Sequence, residues 1–170
     1  MLRIIKTKEE HISRLLELRR EMLTEMGRLS YTAEDSFMKE TEDYLRNGDQ
    51  TTVMAMADDI IGCATICYIN LLPTPDHPAG KRAHLMNVYT RPEFRRQGIG
   101  KAMIGLLIEE AKNSGVTEIT LDADSDVQKF YRGAGFEANG EGMVLNFQRQ
   151  LRKNIELMEK YGIKPHCCGE

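Results

Sequence analysis

No stretch constrains this chain more than Asn87 to Leu107. It runs Asn87-Val88-Tyr89-Thr90-Arg91-Pro92-Glu93-Phe94-Arg95-Arg96-Gln97-Gly98-Ile99-Gly100-Lys101 and then Ala102 to Leu107. The first four residues read as the end of a strand, closed by Arg91-Pro92. A helix follows to about Asn113, with Ile99, Met103, Ile104, Leu106, Leu107 and Ile108 spread over nearly all its sides. A helix of that kind must lie buried against a sheet. Gly105 inside it lowers helix propensity, which predicts a close approach to a neighbouring backbone. Between strand and helix lies a basic, glycine-rich turn. Two glycines let the backbone come close to an anion, and the helix start aims its unpaired N–H groups at the same point. Arg95, Arg96 and Lys101 add positive charge there. Strand, glycine turn and helix in this order describe a seat for a pyrophosphate.

The remaining chain supplies the layers. Residues 2 to 7 read as a strand on Leu2, Ile4 and Ile5. Thr7 and Glu10 have the spacing of a capping box. The helix they open runs to about Met26, with Ile12, Leu15, Leu16, Leu23 and Met26 as its apolar stripe. A second helix runs from Thr32 to Asn47-Gly48, with Phe37, Met38, Thr41, Tyr44 and Leu45 inward. Thr52 to Ala57 and Ile60 to Leu72 form an antiparallel hairpin. Residues 73 to 80 hold three of the five prolines and make a loop. Arg82 to Thr90 is a fourth strand and Glu118 to Asp124 a fifth. Ser125 and Gln128 suggest a second capping box, opening a short helix with Val127, Phe130, Tyr131 and Ala134 on one face and Gly135 at its end. Phe136 begins a sixth strand, Gly140 and Gly142 flank a turn, and Met143 to Phe147 is a last strand. An amphipathic helix over 148–161 carries Leu151, Ile155 and Met158, and residues 164 to 170 read as a flexible tail.

The order predicts an α/β (α+β) fold: a mixed, mostly antiparallel central sheet of about seven strands, helices on both faces, and an extra C-terminal helix. Residues 1–147 form one domain, followed by the helix and tail of 148–170. That last helix caps the fold or builds a homodimer interface, and both readings stay open.

Composition excludes several classes. A net charge of -3 argues against a general nucleic-acid binder. A charged fraction of 29% and apolar runs too short for a bilayer argue against a membrane partner. The N-terminus lacks the long apolar region of a signal peptide, so the expected location is cytoplasmic. Of the four cysteines, Cys63 and Cys67 lie in a strand, where they read as small core residues, and Cys167 and Cys168 in the tail. Nothing here resembles a disulfide framework. His166-Cys167-Cys168 makes a poor chelate, and no metal is expected.

The turn has the form Arg-x-x-Gly-x-Gly. It is not a Walker A loop, which needs four residues between its Gly and Gly-Lys-Ser/Thr. It also lacks the third glycine of a dinucleotide fingerprint. About thirty residues later comes Lys129-Phe130-Tyr131-Arg132-Gly133-Ala134-Gly135-Phe136. Here the chain resembles the GNAT superfamily of acetyl-CoA-dependent N-acetyltransferases. Two linked motifs carry the resemblance: the Arg-x-x-Gly-x-Gly turn after a Val-x-Thr-x-Pro strand end, and the Phe-Tyr-x-x-x-Gly-Phe helix end. With the order of elements, it covers most of residues 1 to 147.

The resemblance implies direct acetyl transfer from acetyl-CoA to a primary amine of a small-molecule or peptide acceptor, without a metal. It implies that the fourth and fifth strands splay apart and that coenzyme A lies in the gap. Val88, Tyr89 and Thr90 would then pair with the pantetheine arm, and a backbone N–H near Val88 or Tyr89 would polarise the thioester carbonyl. The N–H groups of Arg96, Gln97, Gly98, Ile99, Gly100 and Lys101 would hold the pyrophosphate, and Arg95 or Arg96 would reach the ribose phosphate. Tyr131 matches the tyrosine that protonates the leaving thiolate, although a core tyrosine could also stand there. Asp124 occupies the slot of an asparagine that touches coenzyme A in many relatives, and an ionised aspartate cannot donate that bond; Asp126 is a weaker neighbour. Some relatives carry a glutamate base on the fourth strand, where this chain has no carboxylate. His84, of like strand parity with Met86, Val88 and Thr90, is the candidate base. Glu21, Glu25, Glu34 and Asp35 could face a cationic acceptor or only solvent. The missing carboxylate also keeps open a coenzyme A-binding sensor or interaction module without catalysis. A nucleotide-binding protein of another family is a third, more distant reading.

Overall fold

Two strands without an exposed face lie at the centre of the sheet. β2 (Gln50–Met56) is buried from Thr52 to Ala55, and β3 (Ile60–Asn70) from Ile60 to Ile66. Such strands need cover above and below. In this computed structural model, which describes residues 2–28, 34–138, 140, 155, 156 and 160, helices supply it on both sides. The other strands are β1 (Arg3–Lys6), β4 (Lys81–Thr90) and β5 (Ile119–Thr120). The sheet order is β1-β2-β3-β4-β5, antiparallel except for the parallel β4–β5 pair.

One core lies under α1 (Ile12–Glu25) and joins Leu15, Leu18 and Met22 to Met54, Ile60, Cys63 and Tyr89. α2 (Glu34–Asn47) packs beside α1 and buries Met38. The larger core lies under α3 (Ile99–Asn113), whose Ile99, Met103, Ile104, Leu107 and Ala111 meet Val53, Ala55, Ile61, Ile66, Ala83 and Leu85. Tyr131 and Ala134, from the end of α4 (Ser125–Arg132) and the turn after it, pack against that second core. The chain divides into two units, Met1–Phe136 and Glu137–Glu170, and all these elements belong to the first.

Several expectations need correction. Thr7 does not cap α1: its N–H donates to Thr52 O at 2.8 Å and so continues the β1–β2 ladder. The chain enters α1 through a 3₁₀ turn, Glu9–His11, capped by Lys8, whose N–H donates to His11 Nδ1 at 3.1 Å. The buried stripe of α1 is Ile12, Leu15, Leu18 and Met22, while Leu16 and Leu23 are half-buried and Met26 is exposed. Asp124, not Ser125, precedes α4 as its cap residue, and Ser125 Oγ donates to Asp126 Oδ1. No strand begins at Phe136. Its N–H turns back to Tyr131 O at 3.1 Å and closes the end of α4, with Gly135 at φ +97. The strand expected over 143–147 lies outside the described residues, as does the tail. Of the final helix only Ile155, Glu156 and Lys160 are described, and they are helical. Five strands are thus seen among the described residues, against the seven expected.

Gly105 also differs from expectation. A Cβ there would meet nothing within 4 Å among the described residues. The close approach occurs at Gly62 of β3, where a Cβ would stand 2.8 Å from Tyr89 O and 3.2 Å from Met103 Cε. Gly105→Ala should therefore raise the unfolding free energy by about 0.4–1 kcal/mol, through helix propensity and a less flexible unfolded chain. Gly62→Ala should lower it by about 1–3 kcal/mol, through overpacking. Urea denaturation of both variants checks the opposite signs.

Candidate active site

The β4–β5 ladder is short. Ala83 pairs with Ile119 and His84 with Thr120, and there the pairing ends. Leu121 to Asp124 leave the sheet towards α4, so β5 is shorter than the Glu118–Asp124 expected. Beyond His84, β4 is paired with β3 alone among the described residues. The splay expected between these strands is present, and it leaves one edge of β4 open. An open edge offers main-chain donors and acceptors to an extended ligand.

A bulge lies in the same strand, in its pairing with β3. Cys63 pairs with Tyr89 and Thr65 with Met86, so Ala64 faces both Asn87 and Val88. Asn87 has φ +56, a left-handed conformation that asparagine tolerates better than most residues. One extra residue reverses the side-chain alternation beyond it. Ala83 and Leu85 point into the α3-side core, yet so does Val88, while Tyr89 enters the α1-side core. The expected parity of His84 and Met86 with Val88 and Thr90 is thereby corrected. His84 and Met86 face the α1 side, whereas Val88 and Thr90 face α3.

The turn after β4 passes through a 3₁₀ segment, Pro92–Phe94, and then takes two left-handed residues, Arg96 at φ +63 and Gly98 at φ +79. The first amide to rejoin the helical ladder is Ala102, which donates to Gly98 O at 3.0 Å. None of the six preceding N–H groups, Arg96 through Lys101, has an acceptor among the described residues. Consecutive free amides at a helix start form an anion cradle. Gly100 has a second reason to be glycine: a Cβ there would lie 3.1 Å from Phe130 Cζ, so it lets α3 approach α4. The Arg96 and Lys101 side chains are exposed and unpaired among the described residues.

Arg95 behaves differently. Its Nε donates to Thr90 O at 2.8 Å, and its Nη2 reaches both Glu25 carboxylate oxygens at 2.6 and 2.8 Å. The guanidinium carbon lies 5.6 Å from the centre of the Tyr89 ring, and Tyr89 Oη donates to Glu25 Oε2 at 3.0 Å. Burial, then the Glu25 carboxylate, pushes the Tyr89 phenol up to about 12. Arg95, followed by Tyr89, holds the Glu25 carboxyl below its ordinary range. Arg91 grips Glu21 with two bonds of 2.8 Å and adds Asp59 at 3.3 Å. Glu21 and Glu25 therefore serve arginines of the strand end and turn, which changes the expectation that they face an acceptor. The side chains of Glu34 and Asp35 lie outside the described residues.

Tyr131 is half-buried. Its ring meets Phe130 edge-on at 5.0 Å and Phe136 at 6.1 Å. Burial raises its phenol above the ordinary value, so it keeps its proton at neutral pH. Asp124 is exposed before α4, with no side-chain capping bond, and Asp126 is exposed beside it. His84 Nδ1 lies 3.0 Å from Thr120 Oγ1, and its Nε2 is 4.0 Å from Asp122 Oδ2. The fold thus gathers Val88, Thr90, Gly100, Phe130 and Tyr131 on the α3 side and sets His84 on the other.

On the α1 side a cavity of about 340 Å³ lies between α1, α2, β3 and β4. Arg19, Phe37, Tyr44, Cys67, Met86 and Asn87 contribute to its lining. Sequence reasoning missed Arg19 and the side chain of Asn87. The signal for Arg19 was present: it stands four residues after Leu15 and three before Met22, a charge on the apolar stripe. Nothing local marked Asn87 as a bulge.

The family model described as "Acetyltransferase (GNAT) family" matches residues 13–136. A histone acetyltransferase of Glycine max is 43% identical over 70 residues, covering 41% of this chain and 29% of that protein. This chain thus matches less than a third of the length of the first curated relatives. The crystal structure of a predicted acetyltransferase with acetyl-CoA from Clostridium acetobutylicum superposes with a TM-score of 0.77 at 26% identity, covering 88% of this chain and 98% of that one. A GCN5-related N-acetyltransferase from Ralstonia eutropha JMP134 shares the fold at TM-score 0.74 and 22% identity, over 87% of this chain and 99% of that one.

The Glu25 cluster predicts a pH dependence. A carboxylate held below its unfolded value of 4.5 stabilises the fold fully above that value, and the contribution is lost as pH falls through the folded pKa. The stability gap between the wild-type chain and Glu25→Gln should stay level above about pH 5 and close below about pH 4.5. Denaturant unfolding at stepped pH measures it.

Proposed function

Because this chain belongs to the acetyltransferase (GNAT) family, we propose that it transfers an acetyl group from acetyl-CoA to a primary amine of a small-molecule or peptide acceptor. One observation carries the reading: six consecutive N–H groups, Arg96 through Lys101, without an acceptor among the described residues, beside the open edge of β4. A pyrophosphate needs such a row of donors, and an extended pantetheine arm needs such an edge, so the residues present fit coenzyme A. When bound, acetyl-CoA supplies an activated thioester.

The chain's own groups then divide the work. The amides from Arg96 to Lys101 bind the pyrophosphate, with Arg96, unpaired among the described residues, for the ribose phosphate, since Arg95 is held by Glu25. Main-chain groups of Val88, Tyr89 and Thr90 align the arm, and an N–H near the bulge donates to the carbonyl oxygen, where negative charge develops. Attack by the amine forms a C–N bond and breaks the C–S bond. Tyr131 gives its proton to the departing sulfur. His84 takes the proton lost by the amine, on the side of the sheet where the α1–α2 cavity opens. Asp124, an acceptor when ionised, contributes little to binding the cofactor.

β4 carries no carboxylate from Lys81 to Thr90, and this favours a second reading, a coenzyme A-binding module without catalysis. Thiol release with acetyl-CoA and a panel of amines separates the two. Background release for every amine, despite tight cofactor binding, would support the module. Tyr131→Phe should lower kcat about 100-fold or more. Coenzyme A affinity by calorimetry should be unchanged, and an unaltered kcat would assign Tyr131 to packing. Gly98→Val should abolish coenzyme A binding, because a β-branched residue resists φ +79 and would crowd the phosphates. Retained affinity would overturn this account of the turn.

A further inference from the structure

One arginine on the wall of the α1–α2 cavity has no ion pair among the described residues. Arg14, Arg46, Arg82, Arg91 and Arg95 each meet a carboxylate. Arg19, half-buried on the cavity wall, meets none among the described residues. Its Nη1 donates to Asn87 Oδ1 at 2.7 Å. Its guanidinium carbon lies 5.4 Å from the centre of the Phe37 ring, and its Nε is buried with no acceptor among the described residues. Burial lowers its pKa, but a guanidinium keeps its proton in a protein. A cation so placed calls for an anion.

The position of this charge matters as much as its sign. Arg19 holds the side chain of Asn87, the bulge residue of the strand whose open edge is the proposed donor site. An anion on Arg19 is therefore held beside the point where the amine must attack. Phe37, Tyr44, Leu45 and Met86 line the same space and suit an apolar body, and Glu40 supplies the one carboxylate of the lining among the described residues. A single guanidinium with a carboxylate nearby matches a monovalent carboxylate better than a phosphate dianion. The volume of about 340 Å³ belongs to a small molecule.

We propose that this cavity selects acceptors carrying a carboxylate beside the amine, α-amino acids with an apolar side chain, and that Arg19 binds that carboxylate. The proposal deepens the acetyltransferase reading and rests on it.

Paired acceptors test it with the full chain: L-phenylalanine against 2-phenylethylamine, and L-methionine against 3-(methylsulfanyl)propylamine, followed by thiol release. The amino acid of each pair should have a kcat/KM about 100-fold higher, as expected when a built polar contact is lost from one partner. Arg19→Gln should erase the preference by raising KM for the amino acid, and Arg19→Lys should restore part of it. Melting temperatures show whether each variant folds, and the wild-type comparison stands without them. Equal use of amine and amino acid, or a preference that survives in folded Arg19→Gln, would overturn the proposal. So would O-phosphoethanolamine outrunning the amino acids. Background thiol release with every acceptor would instead count against the acetyltransferase reading. Calorimetry with N-acetyl-L-phenylalanine then decides the site: binding weakened about tenfold or more in Arg19→Gln supports it, and no binding to the wild-type chain overturns it.

Discussion

Ala64 of β3 faces two residues of β4, and beyond that point the strand is out of step by one residue. This mismatch governs the geometry on both sides of the sheet. It sends Val88 towards α3 and Tyr89 towards α1, where an unbroken strand would do the reverse. It also places Asn87 at φ +56, with its side-chain oxygen held by Arg19 and its carbonyl accepting the Cys63 thiol. The β4–β5 ladder ends three residues earlier, at His84. An open edge and a bulge on one strand give the chain a place where a ligand can lie in the sheet and a second molecule can approach from one face.

The two faces are built differently. The α3 side is closely packed, with Met103, Ile104 and Leu107 fully buried and Gly62 leaving no room for a side chain. Packing of that kind holds the start of α3, and with it the row of free amides, in one position. The α1 side keeps a cavity, and its polar groups are tied mainly to β4 and the turn beyond: Arg19 to Asn87, Glu21 to Arg91, Glu25 to Arg95 and Tyr89. Donor and acceptor roles divide along the same line in the function proposed here.

Much of the donor side was legible in the residues. The glycine turn, the basic cluster and the apolar helix after it follow from composition and period alone, and the structure adds the free amides. The acceptor side was less so, for reasons that can be named. Strand parity carried across residues 84 to 90 assumes an even pleat, and no local motif announces that Asn87 breaks it. Glu21 and Glu25 looked like a solvated acidic face because the arginines that hold them are about seventy residues away. Thr7 has the right neighbours for a helix cap, but its N–H was already claimed by Thr52 across the sheet. In each case a long-range contact overrode a local preference.

The clamp of Glu25 on Arg95 has a mechanical meaning. Arg95 immediately precedes the six free amides, so the last turn of α1 grips one end of the cradle. Arg19, on the same helix, grips the bulge at Asn87. The two holds are six residues apart, a rise of about 9 Å along a continuous helix. α1 thus serves as a ruler. It spaces the bulge of β4 from the mouth of the cradle through helical hydrogen bonds, so the rise of α1 sets the interval between them.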